Sequence, residues 1–583
     1  MIGCTVRSPI RHIGGLLFNR CLIPSRPVLL AQEQRQMADK FQLGFDLGEE
    51  FCTLCMIPTD LEQPPKWFPA DGSRVPAVAV FDATINDWRC QRPSDVGMPA
   101  VPVLELLRLS TDLKEGSPTA EDVIKRAQRI TGLGASILRC NAEGFVELDI
   151  NGRSYPVHTI ASRLIKDLLV QAENAWGFST GLQTPAVVGS FPRPYGDIQR
   201  EVMKRAFTEA GANHLRTIPC TLAACLAHRL DRCDDGEQEV LVWQFDESNL
   251  TVCCYSAEDG IFEIVGERQF PGGSVFTDVV ADLIKAKAST ELEDALLQKM
   301  AEKAKIALTT EDATVVQLSN DASLTLCRAD VEAEYRSRIL TPLCREVQGW
   351  CASSVRNPNR SDGPFQGKKT VLLGTTANIP AVREVINQVF SGVLSGENPS
   401  TLVALGCAIQ ARVLTSDTKT EMGCMLEFTP LHLGIATIDG RCATVVPRNY
   451  TIPTRQRGLF TTSKDNQTAV QITLMEGGRP WVEECNTLHT MTLAGIPPCP
   501  AGTPQIRIEV DIDVNGMLLV EATLESPNEG QAVTTSSDRF EAQRITFDEI
   551  KAMMLQGNIN EKEDKERLAA MALLVNALPE PPA

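Results

Sequence analysis

The sequence predicts an α/β region, then an all-β region, then a short helical C-terminus. Three observations carry this. Residues 239–264 (EVLVWQFDESNLTVCCYSAEDGIFEI) are apolar β-formers interrupted by turn residues, the pattern of consecutive antiparallel strands. Residues 159–175 place Ile160, Leu164, Leu168 and Leu169 at helical spacing, and a long charged amphipathic helix is expected over 276–308. From about residue 427 to 540, short strands alternate with turn pairs such as Asp439-Gly440, Asp465-Asn466 and Asn515-Gly516, as in a β-sandwich.

At 583 residues the chain exceeds one ordinary core, so roughly two to four domains are expected. Apolar residues at 43% and charged residues at 22% are those of a globular protein. A net charge of −18 argues against nucleic-acid and anionic-membrane partners. No apolar run is long enough for a membrane span. The 19 cysteines are scattered, and the single CxxC (Cys52, Cys55) falls on a strand, where positions three apart face opposite ways. No metal site is expected, and the thiols read as buried groups of a reducing compartment.

Residues 1–40 form an extension. Within 1–32 there are Arg7, Arg11, Arg20 and Arg26 and no acid, the composition of a mitochondrial presequence. Pro9, Pro24, Pro27 and Gly14-Gly15 interrupt any helix there, so the expectation is a cytoplasmic protein, with mitochondrial targeting as the alternative.

Taken in order, the next segments match one family. FQLGFDLGEEFCTLCM (41–56) is strand, glycine turn, strand. A strand follows at 75–81, and 103–109 reads VLELLRL. PAVVGSF (185–191) is a strand; Pro192, Asp197, Gln199 and Arg200 follow, then LRTIPCTLAACLAHRL (215–230). After the central hairpin come Gly272-Gly273, AEKAKIALTT (301–310), TVLLGTTANIPAV (370–382) and ENPSTLVALGCAIQARVL (397–414). These segments resemble the seventy-kilodalton heat-shock chaperone family, in which a two-lobed actin-like ATPase domain precedes a peptide-binding β-sandwich and a helical lid. The resemblance implies domains at 41–414 and 427–540, a linker at 415–426 and a lid beginning at 541–583, which here ends early. FTPLHLGIATIDG and NYTIPTRQRGLFTTSKDNQTAVQITLMEGGRP are the most faithful stretches.

From the resemblance, Asp46, Gly48, Gly272, Gly273, Glu302, Lys305, Thr309 and Gly374 are what is left of a nucleotide site for ATP or ADP, and Ile435, Thr437, Ile438, Phe460, Val470 and Ile472 line a peptide cleft. The catalytic positions are replaced. Gln244 stands at a metal-facing aspartate, Asp246, Glu247 and Ser248 at three phosphate-loop glycines, and Glu49 and Glu50 at two threonines. Leu107 stands at the catalytic lysine and Cys220 at a metal-organising glutamate. Cys220 has no nearby His–Asp arrangement, so it reads as a structural thiol. Phosphate loops use glycine so that backbone N–H groups reach the anion. A carboxylate about 8 Å from a phosphate charge costs on the order of 2 kcal/mol at an effective dielectric near 20. Several together argue against ATP binding.

Two functions follow. One is a chaperone or cochaperone that binds unfolded or extended polypeptide with ATP hydrolysis lost; its partners would include a J-domain cochaperone, another chaperone or the ribosome. The other is an ATP-driven foldase. A sugar kinase on the same ATPase fold is excluded by the all-β half. With a shortened lid and no release stroke, peptide exchange is expected to be fast.

Overall fold

A computed structural model describes residues 41–569 apart from short intervals, the longest being 92–99, 110–119, 177–184, 355–364, 416–426, 526–534 and 541–551. Residues 1–40, Glu49, Glu50 and, of the segment 415–426 expected as a linker, all but Thr415, which ends a helix, lie outside the described residues.

The N-terminal half is built on two mixed sheets. In the first, Phe41–Leu47 pairs antiparallel with Phe51–Pro58 and parallel with Ala186–Phe191, which continues in parallel to Asn213–Pro219. In the second, Gln238–Phe245, Asn249–Glu258 and Ile261–Pro271 form an antiparallel meander, and Lys369–Leu373 adds in parallel to the first of them. Parallel pairing requires both faces to be covered, which explains strands buried at nearly every residue, such as Gln238–Phe245. Separate cores result, one around Phe45, Leu104 and Leu164, another around Trp243, Phe276 and Leu340.

Helices Cys220–Ala227 and Leu402–Thr415 join the two sheets, and the join is glycine-dependent. A Cβ at Gly406 would lie 1.8 Å from the Ala223 carbonyl oxygen, and one at Gly44 1.9 Å from that of Ala404. Any side chain at either position would force the backbones apart.

The helix expected over 276–308 is two, Ser274–Lys287 and Asp294–Ala307. VLELLRL forms the helix Val103–Arg108 with Leu107 fully buried in the first core. Cys52 and Cys55 belong to different clusters on opposite faces of their strand, as the period of two demands.

The C-terminal half holds two antiparallel sheets. Cys442–Val446, His432–Ala436, Ala469–Gly477 and Asn486–Ala494 form one; Thr454–Phe460, Gln505–Ile512, Leu518–Glu525 and Thr535–Phe540 form the other. Their inward residues share one core that includes Leu433, Leu474, Ile508 and Val520. A short helix at 562–569 docks on this half through Asp564, which accepts hydrogen bonds from Arg479 and Trp481. Lys204 and Asp513 link the two halves at 2.7 Å, a part-exposed pair worth about 1 kcal/mol or less.

Candidate functional site

The tip Asp246–Asn249 is closed by the Asp246 N–H donating to the Asn249 carbonyl at 2.9 Å. Helix Ser274–Lys287 begins against it. The Gly273 N–H donates to the Asp246 carbonyl at 2.8 Å and the Ser274 N–H to the Glu247 carbonyl at 2.9 Å. Helix N-terminal amides are the usual anion donors; here two of them are already engaged by the hairpin.

The retained glycines have a packing role of their own. A Cβ at Gly272 would lie 2.4 Å from the Asn249 nitrogen, and one at Gly273 2.5 Å from Thr376 Oγ1 and 2.7 Å from Glu247 Oε2. Gly374 has φ +95° and would place a Cβ 2.0 Å from the Phe245 carbonyl oxygen. Gly48 closes the first hairpin, its N–H donating to the Phe51 carbonyl at 3.1 Å.

Glu247 is half-buried and reaches the helices Ser274–Lys287 and Asp294–Ala307. Its Oε2 accepts from Lys305 Nζ at 2.9 Å, and its Oε1 lies 3.4 Å from Thr277 Oγ1. The Lys305 side chain is only 7% exposed, so its charge needs a partner at that point. The other two residues expected on this helix face part company with it. Glu302 is exposed, and the Thr309 hydroxyl donates to the Ile306 carbonyl at 2.7 Å. Gln244 Nε2 donates to Asp246 Oδ2 at 2.7 Å, while Gln244 Oε1 is buried with no hydrogen-bond partner among the described residues.

Asp46 is buried beside Ser190, whose hydroxyl donates to Oδ1 at 2.6 Å. Burial pushes its carboxyl up to about 6, against the opposing effect of that hydrogen bond. Because the folded value exceeds the unfolded one, stability from this group is complete below the ordinary carboxylate value and lost as pH rises through about 6. The loss amounts to about 3 kcal/mol at roughly 1.4 kcal/mol per pKa unit. Asp46→Asn, which preserves an acceptor for Ser190, should therefore be more stable than the wild type at about pH 7.5 and lose much of the gain on acidifying to about pH 5. Denaturant midpoints at the two pH values measure this; identical pH dependence in both proteins would contradict it. Cys220, at the start of its helix, is fully enclosed, and burial followed by the Asp46 charge pushes its thiol far up, an inert group rather than a nucleophile.

The residues available here fit a metal–nucleotide complex poorly. Leu107 lies in the core, Cys220 is a neutral thiol, and the hairpin tip presents a carboxylate where a phosphate would need donors. Among the described residues no group of three or more His, Cys, Asp or Glu is arranged to hold a metal, and no helix among them is long and apolar enough to cross a membrane.

In the C-terminal half, Ile435 and Ile472 are 3% and 4% exposed and sit in the shared core, with Phe460 and Val470 packed at its margin. Ile438 is 84% exposed, beside Thr437, whose hydroxyl lies 2.7 Å from the Arg441 carbonyl. The structure therefore brings four of the six together around the core and leaves Thr437 and Ile438 on the adjoining turn.

The family model for the Hsp70 protein matches residues 119–577. The chain belongs to the Hsp70 family. Among its relatives is the chaperone protein DnaK of Thermus thermophilus, 30% identical over 561 residues that make up 92% of this chain and 86% of the relative. The rewritten hairpin tip was legible in the sequence, but Ser190 beside Asp46, and Thr277 and Thr376 beside Glu247 and Gly273, were not, because they come from a strand, a helix and a turn remote in sequence. Ser190 lies in the segment PAVVGSF, and its one signal was a lone hydroxyl inside an apolar strand. The Asp564–Arg479–Trp481 cluster was also missed, because its members lie 83 and 85 residues apart.

Proposed function

We propose that this chain is an Hsp70-family chaperone or cochaperone that holds extended polypeptide in its C-terminal β-sandwich without hydrolysing ATP. The observation that carries the reading is the Glu247 carboxylate, held by Lys305 at the tip where a phosphate would require donors. In this reading the N-terminal half, 41–414, keeps the two-lobed actin-like fold as a scaffold, 427–540 is the peptide-binding sandwich, and 541–583 belongs to the helical lid. Thr437, Ile438, Phe460 and Val470 offer the polypeptide its first contacts, and Ile435 and Ile472 support them from within. ATP and ADP, the cofactors of the family, bind weakly or not at all. Partners are unfolded chains, with a J-domain cochaperone, another chaperone or the ribosome as the assembly in which the chain works, in the cytoplasm. Phosphate release from ATP–Mg²⁺ by the purified chain is expected to stay at background, and its peptide complex is expected to ignore ATP. Turnover above background would refute the reading.

A further inference from the structure

Glu247 does more than repel phosphate. Its carboxylate lies within reach of two donors, Lys305 Nζ at 2.9 Å and Thr277 Oγ1 at 3.4 Å. A third donor stands close by. A Cβ at Gly273 would fall 2.7 Å from Glu247 Oε2 and 2.5 Å from Thr376 Oγ1, so the Thr376 hydroxyl and the carboxylate flank the same glycine. Thr376 is 3% exposed, and its hydroxyl has no hydrogen-bond partner among the described residues. An ammonium and one hydroxyl thus contact the carboxylate from the helices Asp294–Ala307 and Ser274–Lys287, and a second, unpartnered hydroxyl stands across Gly273 on the turn Thr376–Asn378.

We propose that Glu247 is a tethered anion that fills an otherwise competent oxyanion cradle made by Thr277, Lys305 and Thr376, and so closes the cleft to phosphorylated ligands. The carboxylate is covalently part of the hairpin, so its local concentration far exceeds that of any free phosphate. It also leaves Lys305 neutralised, and an incoming phosphate would meet a negative charge instead of a positive one. The glycine at this position of a phosphate loop removes a side chain; the glutamate here supplies the occupant. This rests on the reading that the cleft does not turn over ATP, and it names what keeps the cleft shut.

The test uses the full-length chain, calorimetry without added metal, and two probes, inorganic pyrophosphate and ADP. The wild type is expected to show no binding at millimolar probe. Glu247→Gly is expected to bind both at least tenfold more tightly than the wild type. Glu247→Gln, which keeps the size and removes the charge, is expected to gain as well. Adding Lys305→Met to either variant should abolish the gain. The proposal is overturned by a wild type that binds pyrophosphate, by two Glu247 variants as silent as the wild type, by a gain in Glu247→Gly alone, or by a gain that survives loss of Lys305. Background phosphate release together with silent variants would sink the tethered anion and leave the proposed function standing; ATP turnover by the wild type would sink that function.

Discussion

Arg479→Ala is expected to release the 562–569 helix from the C-terminal sheets. Arg479 holds Asp564 through two parallel hydrogen bonds, Nε to Oδ2 at 3.1 Å and Nη2 to Oδ1 at 2.8 Å, and Trp481 Nε1 adds a third at 2.7 Å. The side chains of Arg479 and Asp564 are 15% and 8% exposed. Removing the arginine leaves a buried carboxylate with one neutral hydrogen-bond donor and only the more distant charge of Arg567, which stacks on Trp481, a loss of about 3 kcal/mol. The Arg479 hydrogen bonds, ahead of the Trp481 N–H, hold the Asp564 carboxyl below its ordinary value. The contact is therefore complete above the ordinary carboxylate range and lost only as pH falls through the lowered folded value. Hydrogen exchange over 562–569 should accelerate at least a hundredfold in the variant at neutral pH, and peptide release should quicken with it. Exchange as slow as in the wild type would show that the helix is held by something else. This clamp also qualifies the expectation of fast peptide exchange, because the 562–569 helix is anchored.

Gly374→Ala is expected to destabilise the N-terminal half by about 3 kcal/mol or more, combining left-handed strain with overpacking. The backbone there has φ +95°, and the new methyl would meet the Phe245 carbonyl at 2.0 Å, a rigid neighbour at the base of the central hairpin. Gly152→Ala is the control. Gly152 has φ +75° and nothing within 4 Å of a Cβ, so only the conformational cost, about 1 kcal/mol, should appear. Equal losses in the two variants would mean that Gly374 is kept for something other than this packing.

The meander was legible because apolar β-formers and turn residues alternate through 239–264, and the strands Gln238–Phe245, Asn249–Glu258 and Ile261–Pro271 follow that pattern. The offset between Cys254 and Tyr255 was not, since no residue there marks a bulge. The break between Lys287 and Asp294 escaped because charge and apolar spacing run on through KASTELED, although Ser289 and Thr290 are residues that compete for backbone hydrogen bonds. Gly272, Gly273 and Gly374 stood out as glycines, yet the carbonyls they accommodate belong to segments up to 129 residues away. Glu247 and Lys305 were each singled out, one as a carboxylate in place of a phosphate-loop glycine and one among the remnant nucleotide-site residues. Their pairing, 58 residues apart, exists only in the fold. The burial of Ile435 and Ile472 follows from strand alternation with Leu433 and Leu474, which face the same core.

The most direct measurement of the account is the dissociation rate of a fluorescent extended peptide from the full-length protein, by anisotropy, with and without saturating ATP–Mg²⁺. A chain whose nucleotide cleft is closed should release the peptide at the same rate in both. Release accelerated tenfold or more by ATP would contradict the account and restore a nucleotide-switched cycle.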